Sequence, residues 1–196
     1  MKLTTTQVAA KLKVTDFTAF DKPGKNKGAR GQLIETALGI DNSSDLTDLV
    51  DGELKTFTQG ESIAVTQIKH CLEEIIDNQV GFYDSKVGQK LAQTIYVGFT
   101  RSNDYIGTAT VNFDSCPTHF VHLAEDYEYI CNEIRNRYEN GKELSTITGP
   151  NKLLQIRTKA SKTKQGYYVP LCYNGQQLKD KNMAFYLCTQ FGKTIV

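Results

Sequence analysis

Apolar residues recur at helical spacing over Thr4–Val14, where Val8, Ala9, Leu12 and Val14 fall near one face, and more strongly over QLIETAL at 32–38. Both segments predict α-helices. Between them, DKPGKNKGARG at 21–31 is too rich in Gly, Pro and Lys for helix or strand and predicts a basic loop. A polar turn follows at Asp41–Ser44. Gly52–Phe57 and Ser62–Ile68 alternate or carry β-branched residues on either side of TQGE, which predicts two strands joined as a hairpin. Farther along, Cys71–Asn78 and Val87–Gln93 read as helices, Thr94–Phe99 and Tyr105–Phe113 as strands, and Thr118–Tyr138 as the longest helix. Lys152–Thr158, Tyr167–Leu171 and Ala184–Cys188 add candidate strands. Helices and strands mix without a regular βαβ rhythm, so the expected fold class is α/β in the mixed α+β sense.

Composition narrows this picture. A length of 196 residues is enough to bury one continuous core, and a single domain spanning 1–196 is expected. Hydrophobic content of 39% and charged content of 23% are globular values and argue against a disordered, collagen-like or coiled-coil chain. No stretch approaches the roughly 20 apolar residues that cross a bilayer, and the opening lacks a secretory apolar segment, so a soluble, cytoplasmic protein is expected. Cys71, Cys116, Cys131, Cys172 and Cys188 are scattered without a CxxC pair, which fits reduced thiols used as small core residues. The formal charge of +1 hides two basic clusters: Lys22, Lys25, Lys27 and Arg30, then Lys152, Arg157, Lys159, Lys162 and Lys164. Such local charge suits a nucleic-acid surface, although lysines also crowd solvated loops.

Candidate chemistry concentrates in DLTDLVDGELKT, Asp45–Thr56. Glu53 and Lys55 are two apart on a predicted strand and leave the same face, while Leu54 points into the core. Phosphodiester hydrolysis needs a cation against the phosphate charge, a nucleophile made from water, and fixed geometry between them. Asp45 and Glu53 supply hard oxygen ligands for Mg²⁺, and the backbone carbonyl of Leu54 supplies another. An ammonium beside two metal-bound carboxylates favours positioning and charge stabilisation for Lys55 over general-base action. An ExK triplet alone is weak, because charges alternate on many wet strand faces.

Other motifs give it company. KGARGQLIETALG at 27–39, followed by the carboxylate segment and ELKT at 53–56, resembles the MutH mismatch-repair endonucleases and the related GATC-cutting restriction enzymes, members of the PD-(D/E)xK nucleases. The resemblance continues in VGQKLAQTIYV at 87–97, LLQIRTKA at 153–160 and FYL at 185–187, and is sparse between Arg101 and Gly149. It implies a restriction-endonuclease-like core, a central mixed β-sheet flanked by helices. It also implies a catalytic centre of Glu35, Asp45, Glu53 and Lys55, with Lys90 as a supporting basic residue near the DNA phosphate. Arg157 and Lys159 fall where the family reads bases, Tyr186 matches a tyrosine near the recognised adenine, and Lys27 and Arg30 lie in the early basic stretch assigned to DNA. Arg suits a bidentate contact with guanine and Lys suits phosphate, which is compatible with those roles. One departure stands out. Asp45 and Glu53 are separated by one residue more than the family usually has, which leaves Asp48 and Asp51 as alternative ligands; Asp45 is preferred because VDG beside Glu53 looks like the turn between two ligands.

The expected function is therefore a type II restriction endonuclease acting on double-stranded DNA at a short site, plausibly GATC, with Mg²⁺ as cofactor. Cutting a palindrome implies a homodimer on DNA or successive cuts by a monomer, and a cognate DNA methyltransferase as functional counterpart. The alternatives are a methylation-directed repair nickase and a non-catalytic DNA-binding module. Cys116, His119 and His122 have a spacing compatible with zinc but lack a fourth ligand. Tyr127, Tyr129, Tyr167 and Tyr168 are read as an amphipathic edge of the core rather than as base-stacking platforms.

Overall fold

The computed structural model describes residues 2–20, 28–41, 45–159 and 162–195. Along the chain run α1 (Thr5–Leu12), α2 (Ala29–Leu38), β1 (Glu53–Thr58), β2 (Ile63–Gln67), α3 (Leu72–Ile76), α4 (Lys86–Leu91), β3 (Gln93–Phe99), β4 (Tyr105–Asn112), α5 (Pro117–Glu139), β5 (Ile147–Thr148), β6 (Leu154–Thr158), β7 (Leu171–Tyr173), β8 (Gln176–Lys179), β9 (Met183–Leu187) and α6 (Thr189–Ile195). The mixed α+β class is as expected. The chain groups into two compact units: the first holds Met1–Ile63, Gln89–Pro117 and Thr189–Val196, and the second Ala64–Gly88 and Thr118–Cys188.

The first unit is built on a mixed sheet, β1-β3-β4, in which β1 and β3 are parallel and β3 and β4 antiparallel. Helices α1 and α2 flank it, and Val8, Leu12, Ile34, Leu38, Leu49, Leu54, Ile95, Val97 and Phe99 form one core cluster. Full burial of each large side chain stabilises by about 1.5–3 kcal/mol before chain entropy is counted. Helix α1 starts in a capping box, with the Thr4 hydroxyl accepting from Gln7 N and the Gln7 side chain accepting from Thr4 N. Asp51 caps the same end, accepting from Thr5 N at 2.7 Å and Thr5 Oγ1 at 2.9 Å. Helix α2 ends at Gly39, whose φ of 77° is the left-handed conformation that glycine adopts without a Cβ clash.

In the second unit, β2-β9-β6-β5 form one sheet and β7-β8 a separate ribbon. Helix α5 starts with Pro117 at its first position, where a missing N–H costs nothing, and buries Phe120, Leu123, Tyr127, Ile130 and Ile134 at three- and four-residue spacing. Asp126 on this face is fully buried, and its carboxylate accepts from the backbone N–H groups of Asn151, Leu153 and Leu154, fixing the turn before β6.

Several expectations need correction. β1 and β2 do not form a hairpin: β1 pairs with β3, Gln59 N extends that pairing to Phe99 O at 2.8 Å, and β2 pairs with β9. The predicted basic loop over 21–31 is cut short, since Ala29–Gly31 already belong to α2, while residues 21–27 and 42–44 lie outside the described residues. Tyr167–Leu171 is not a strand; it contributes a single bridge, Lys162 with Tyr168, and regular pairing starts at Leu171. β5, β7, β8 and α6 were not anticipated. All five cysteines are free as expected, but only Cys71, Cys131 and Cys188 are core residues; Cys172 is exposed and Cys116 half-buried. Among the described residues no helix is long and apolar enough to cross a membrane.

Candidate active site

Three elements of the first unit bring charged side chains together. Strand β1 carries Glu53 and Lys55, paired in register with Thr94 and Tyr96 of β3, while Leu54 between them is buried in the core as its alternation requires. Helix α2 lies close to β1 because Gly31 faces Thr56: a Cβ there would sit 3.2 Å from Thr56 Oγ1. One turn later the same helix presents Glu35. Lys90 comes from the end of α4, where its carbonyl accepts from Thr94 Oγ1 at 3.0 Å.

Glu53 is the centre of this cluster and only 3% exposed. Its Oε1 receives both ammoniums, Lys55 Nζ at 2.8 Å and Lys90 Nζ at 2.9 Å, and its Oε2 accepts from Asp48 N at 3.1 Å. Burial alone would push the Glu53 carboxyl up, but the two lysines outweigh it and hold the group below its ordinary value. Asp48 Oδ2 accepts from Leu54 N at 3.4 Å. Asp48 and Glu35 are both shifted up, first by burial; repulsion from Glu53 adds to the shift of Asp48, and repulsion from Asp48 and then Glu53 to that of Glu35. Three carboxylates thus share two ammoniums in a partly dehydrated place.

The geometry moves the candidate ligand from Asp45 to Asp48. Asp45 forms an ion pair with Lys2 at 2.9 Å and leaves 62% of its side chain exposed. Asp51 is occupied by Thr5 at the start of α1. Residues 45–51 form bends, with Leu49 fully buried and its N–H donating to Gly52 O at 2.9 Å; the turn expected at VDG is present, but it brings Asp48 rather than Asp45 to Glu53. The sequence signal for Asp48 was Gly52. A Cβ there would lie 2.4 Å from Gln93 O and 2.8 Å from Thr5 Cγ2, and this close passage turns the chain back toward Glu53.

The other predicted residues are dispersed. Arg30 is only 4% exposed, its guanidinium stacked 4.1 Å above the Phe99 ring and donating to Phe20 O and Asn103 Oδ1; it is turned inward rather than offered to DNA. Lys27 lies outside the described residues. In the second unit, Arg157 on β6 stacks 4.3 Å over Tyr186 on β9, and Tyr186 beneath it is 8% exposed. Lys159 is exposed two residues further along.

Among the described residues no three His, Cys, Asp or Glu side chains gather into a ready-made metal site, and the Cys116, His119 and His122 spacing forms none. The donor chemistry beside Glu53 nevertheless suits a hard divalent cation. Asp48, Glu53 and the Leu54 carbonyl offer oxygen donors only, and burial together with the neighbouring carboxylates raises Asp48 and Glu35. No protein-family model matches the chain, and no curated protein matches it.

Proposed function

We propose that this chain is a Mg²⁺-dependent endonuclease of duplex DNA with a restriction-endonuclease-like core, and that Asp48, Glu53 and Lys55 form its centre, with Glu35 and Lys90 beside them. The observation that carries this reading is the convergence of Asp48, Glu53, Lys55, Lys90 and Glu35 from separate elements around one buried carboxylate. A surface charge pattern would leave such groups solvated; here they are dehydrated at a net negative charge, which opposes folding and suits binding. The cation, held by Asp48, Glu53 and the Leu54 carbonyl, would supply positive charge to the scissile phosphate and lower the pKa of a water.

The residues have distinct tasks. Glu53 would be both ligand and anchor, and with a cation sharing its charge the two lysines that neutralise it would be available to the phosphate. Lys55 is placed to orient the attacking water, and Lys90 to offset the charge that develops on the phosphate oxygens. Glu35, half-buried and raised, is placed to accept a hydrogen bond from a water in the metal's outer shell.

The motif resemblance makes a short site such as GATC the first substrate to try, with a homodimer or sequential cutting as the route to a double-strand break. Purified protein incubated with unmethylated and adenine-methylated plasmid, in Mg²⁺ or EDTA, tests this. Discrete Mg²⁺-dependent double-strand ends are expected. Nicks confined to unmethylated strands would redirect the reading to a repair nickase, and no cleavage on any substrate would overturn it in favour of a non-catalytic module.

A further inference from the structure

Residues 162–168 of the second unit close a tight turn. Lys162 and Tyr168 bridge its base, Gly166 N donates to Thr163 O at 2.9 Å, and Tyr167 N and Thr163 Oγ1 meet at 3.2 Å. Gly166 supports the reversal with a φ of 90°. The turn presents Tyr167 at 73% exposure, followed by Tyr168 and Val169 at 41% and 57%. Two ammoniums lie over the Tyr168 ring, Lys181 Nζ at 4.8 Å and Lys162 Nζ at 5.5 Å from its centroid. Lys164 is exposed at the tip, and the sequence from Lys162 to Pro170 contains no acidic residue. The acid that does meet this group is Asp180, 3.5 Å from Lys181 Nζ.

This surface gathers positive charge around one aromatic ring, and a large flat side chain stands exposed beside it. Both features suit a polyanion that alternates charge with apolar surface, as the nucleic-acid backbone alternates phosphate with deoxyribose. We propose that this turn is a backbone-binding prong for duplex DNA, in which Lys162, Lys164 and Lys181 neutralise phosphates and Tyr167 packs on an adjoining sugar. The prong rests on the reading that the chain acts on DNA, and it adds a sequence-independent contact apart from Arg157, Lys159 and Tyr186.

The test is binding of fluorescent duplexes by the full chain in EDTA across a range of KCl, so that cleavage is not required. For Lys162→Gln/Lys164→Gln/Lys181→Gln, the slope of log affinity against log salt should fall by about 3, roughly one per phosphate contact, equally on duplexes with and without GATC. Tyr167→Ser should weaken binding several-fold and leave the slope unchanged. If circular dichroism shows the triple variant misfolded, Lys164→Gln alone should lower the slope by about 1. An unchanged slope in a folded variant overturns the prong, as does a wild-type chain that binds no duplex. Binding of phosphatidylserine vesicles in preference to DNA, lost in the triple variant, overturns it in favour of a lipid surface. The two readings separate cleanly: an unchanged slope in a chain that still cleaves removes only the prong, and a reduced slope in a chain that never cleaves removes only the endonuclease.

Discussion

At the scale of single residues, Asp48 is where binding and stability oppose each other. Its carboxyl is raised from 3.8 by burial and by Glu53, so the folded protein holds that proton more tightly than the unfolded chain does. The ionised form therefore opposes folding: the penalty is absent below the ordinary carboxylate value and complete once pH exceeds the raised one. Asp48→Asn should accordingly raise the melting temperature of the metal-free protein at neutral pH by several degrees, about 1 kcal/mol, and the gain should vanish as pH falls through the carboxylate range. The same variant should lose Mg²⁺-dependent cleavage, whereas Asp45→Asn, which removes an exposed ion pair with Lys2, should change stability by less than about 1 kcal/mol and keep cleavage. Melting scans at several pH values with and without Mg²⁺, alongside the plasmid assay, check both. Loss of cleavage in Asp45→Asn with retention in Asp48→Asn would return the ligand to Asp45. Glu53 and Lys55 were legible because strand alternation puts them on one face; Glu35 and Lys90 were implied only by the motif resemblance, since no local period links residues on separate elements. Arg30 misled because a basic residue beside a basic stretch gives no hint that it will stack inward on Phe99.

At the scale of elements, what could be read depended on whether pairing is local. The long helix α5, the strands β3 and β4, and α1 with its Thr4 cap all follow from periodicity or capping chemistry within their own segments. The β1–β2 hairpin failed because turn composition at TQGE does not say which edge the next strand meets; parallel β1–β3 pairing is non-local and leaves no mark between the strands. The β7–β8 hairpin was missed although its signal is local: Asn174-Gly175, with φ values of 44° and 78°, suits the two-residue turn that this dipeptide favours. Gly52 is the element-scale residue on which the site depends, since backbone, not a flexible side chain, blocks any Cβ there. Gly52→Ala should cost about 1–3 kcal/mol from overpacking and displace Glu53. Urea unfolding should show the loss, and cleavage should fall further than the lost stability explains. Wild-type cleavage in a folded Gly52→Ala protein would show that this passage does not position Glu53.

At the scale of the whole chain, the unit that carries the candidate site is assembled from three separate stretches of sequence, and the last begins at Thr189. Local reading gave α6 no weight, because a short helix without caps or strong periodicity has no signature of its own; its formation is a tertiary event. Phe191 shows why it forms. The ring is 1% exposed and meets Tyr96 edge-on with centroids 5.6 Å apart, and Tyr96 is the register partner of Lys55. The terminal segment therefore packs against the strand paired with Lys55, although none of its residues belongs to the charged cluster. Phe191→Ala should cost about 3–5 kcal/mol through the buried area lost and the cavity left behind. Phe191→Leu, which keeps most of the volume, should cost clearly less. If the segment only adds stability, cleavage by each variant below its own melting transition will match wild type. If it also positions β3, Phe191→Ala will cleave more slowly even where circular dichroism reports a fully folded chain, and Phe191→Leu will recover most of the rate. We expect the second result, because the Tyr96 ring has Phe57 of β1 on its other contact, with centroids 6.5 Å apart, and a void beside Tyr96 loosens the strand that bears both Glu53 and Lys55.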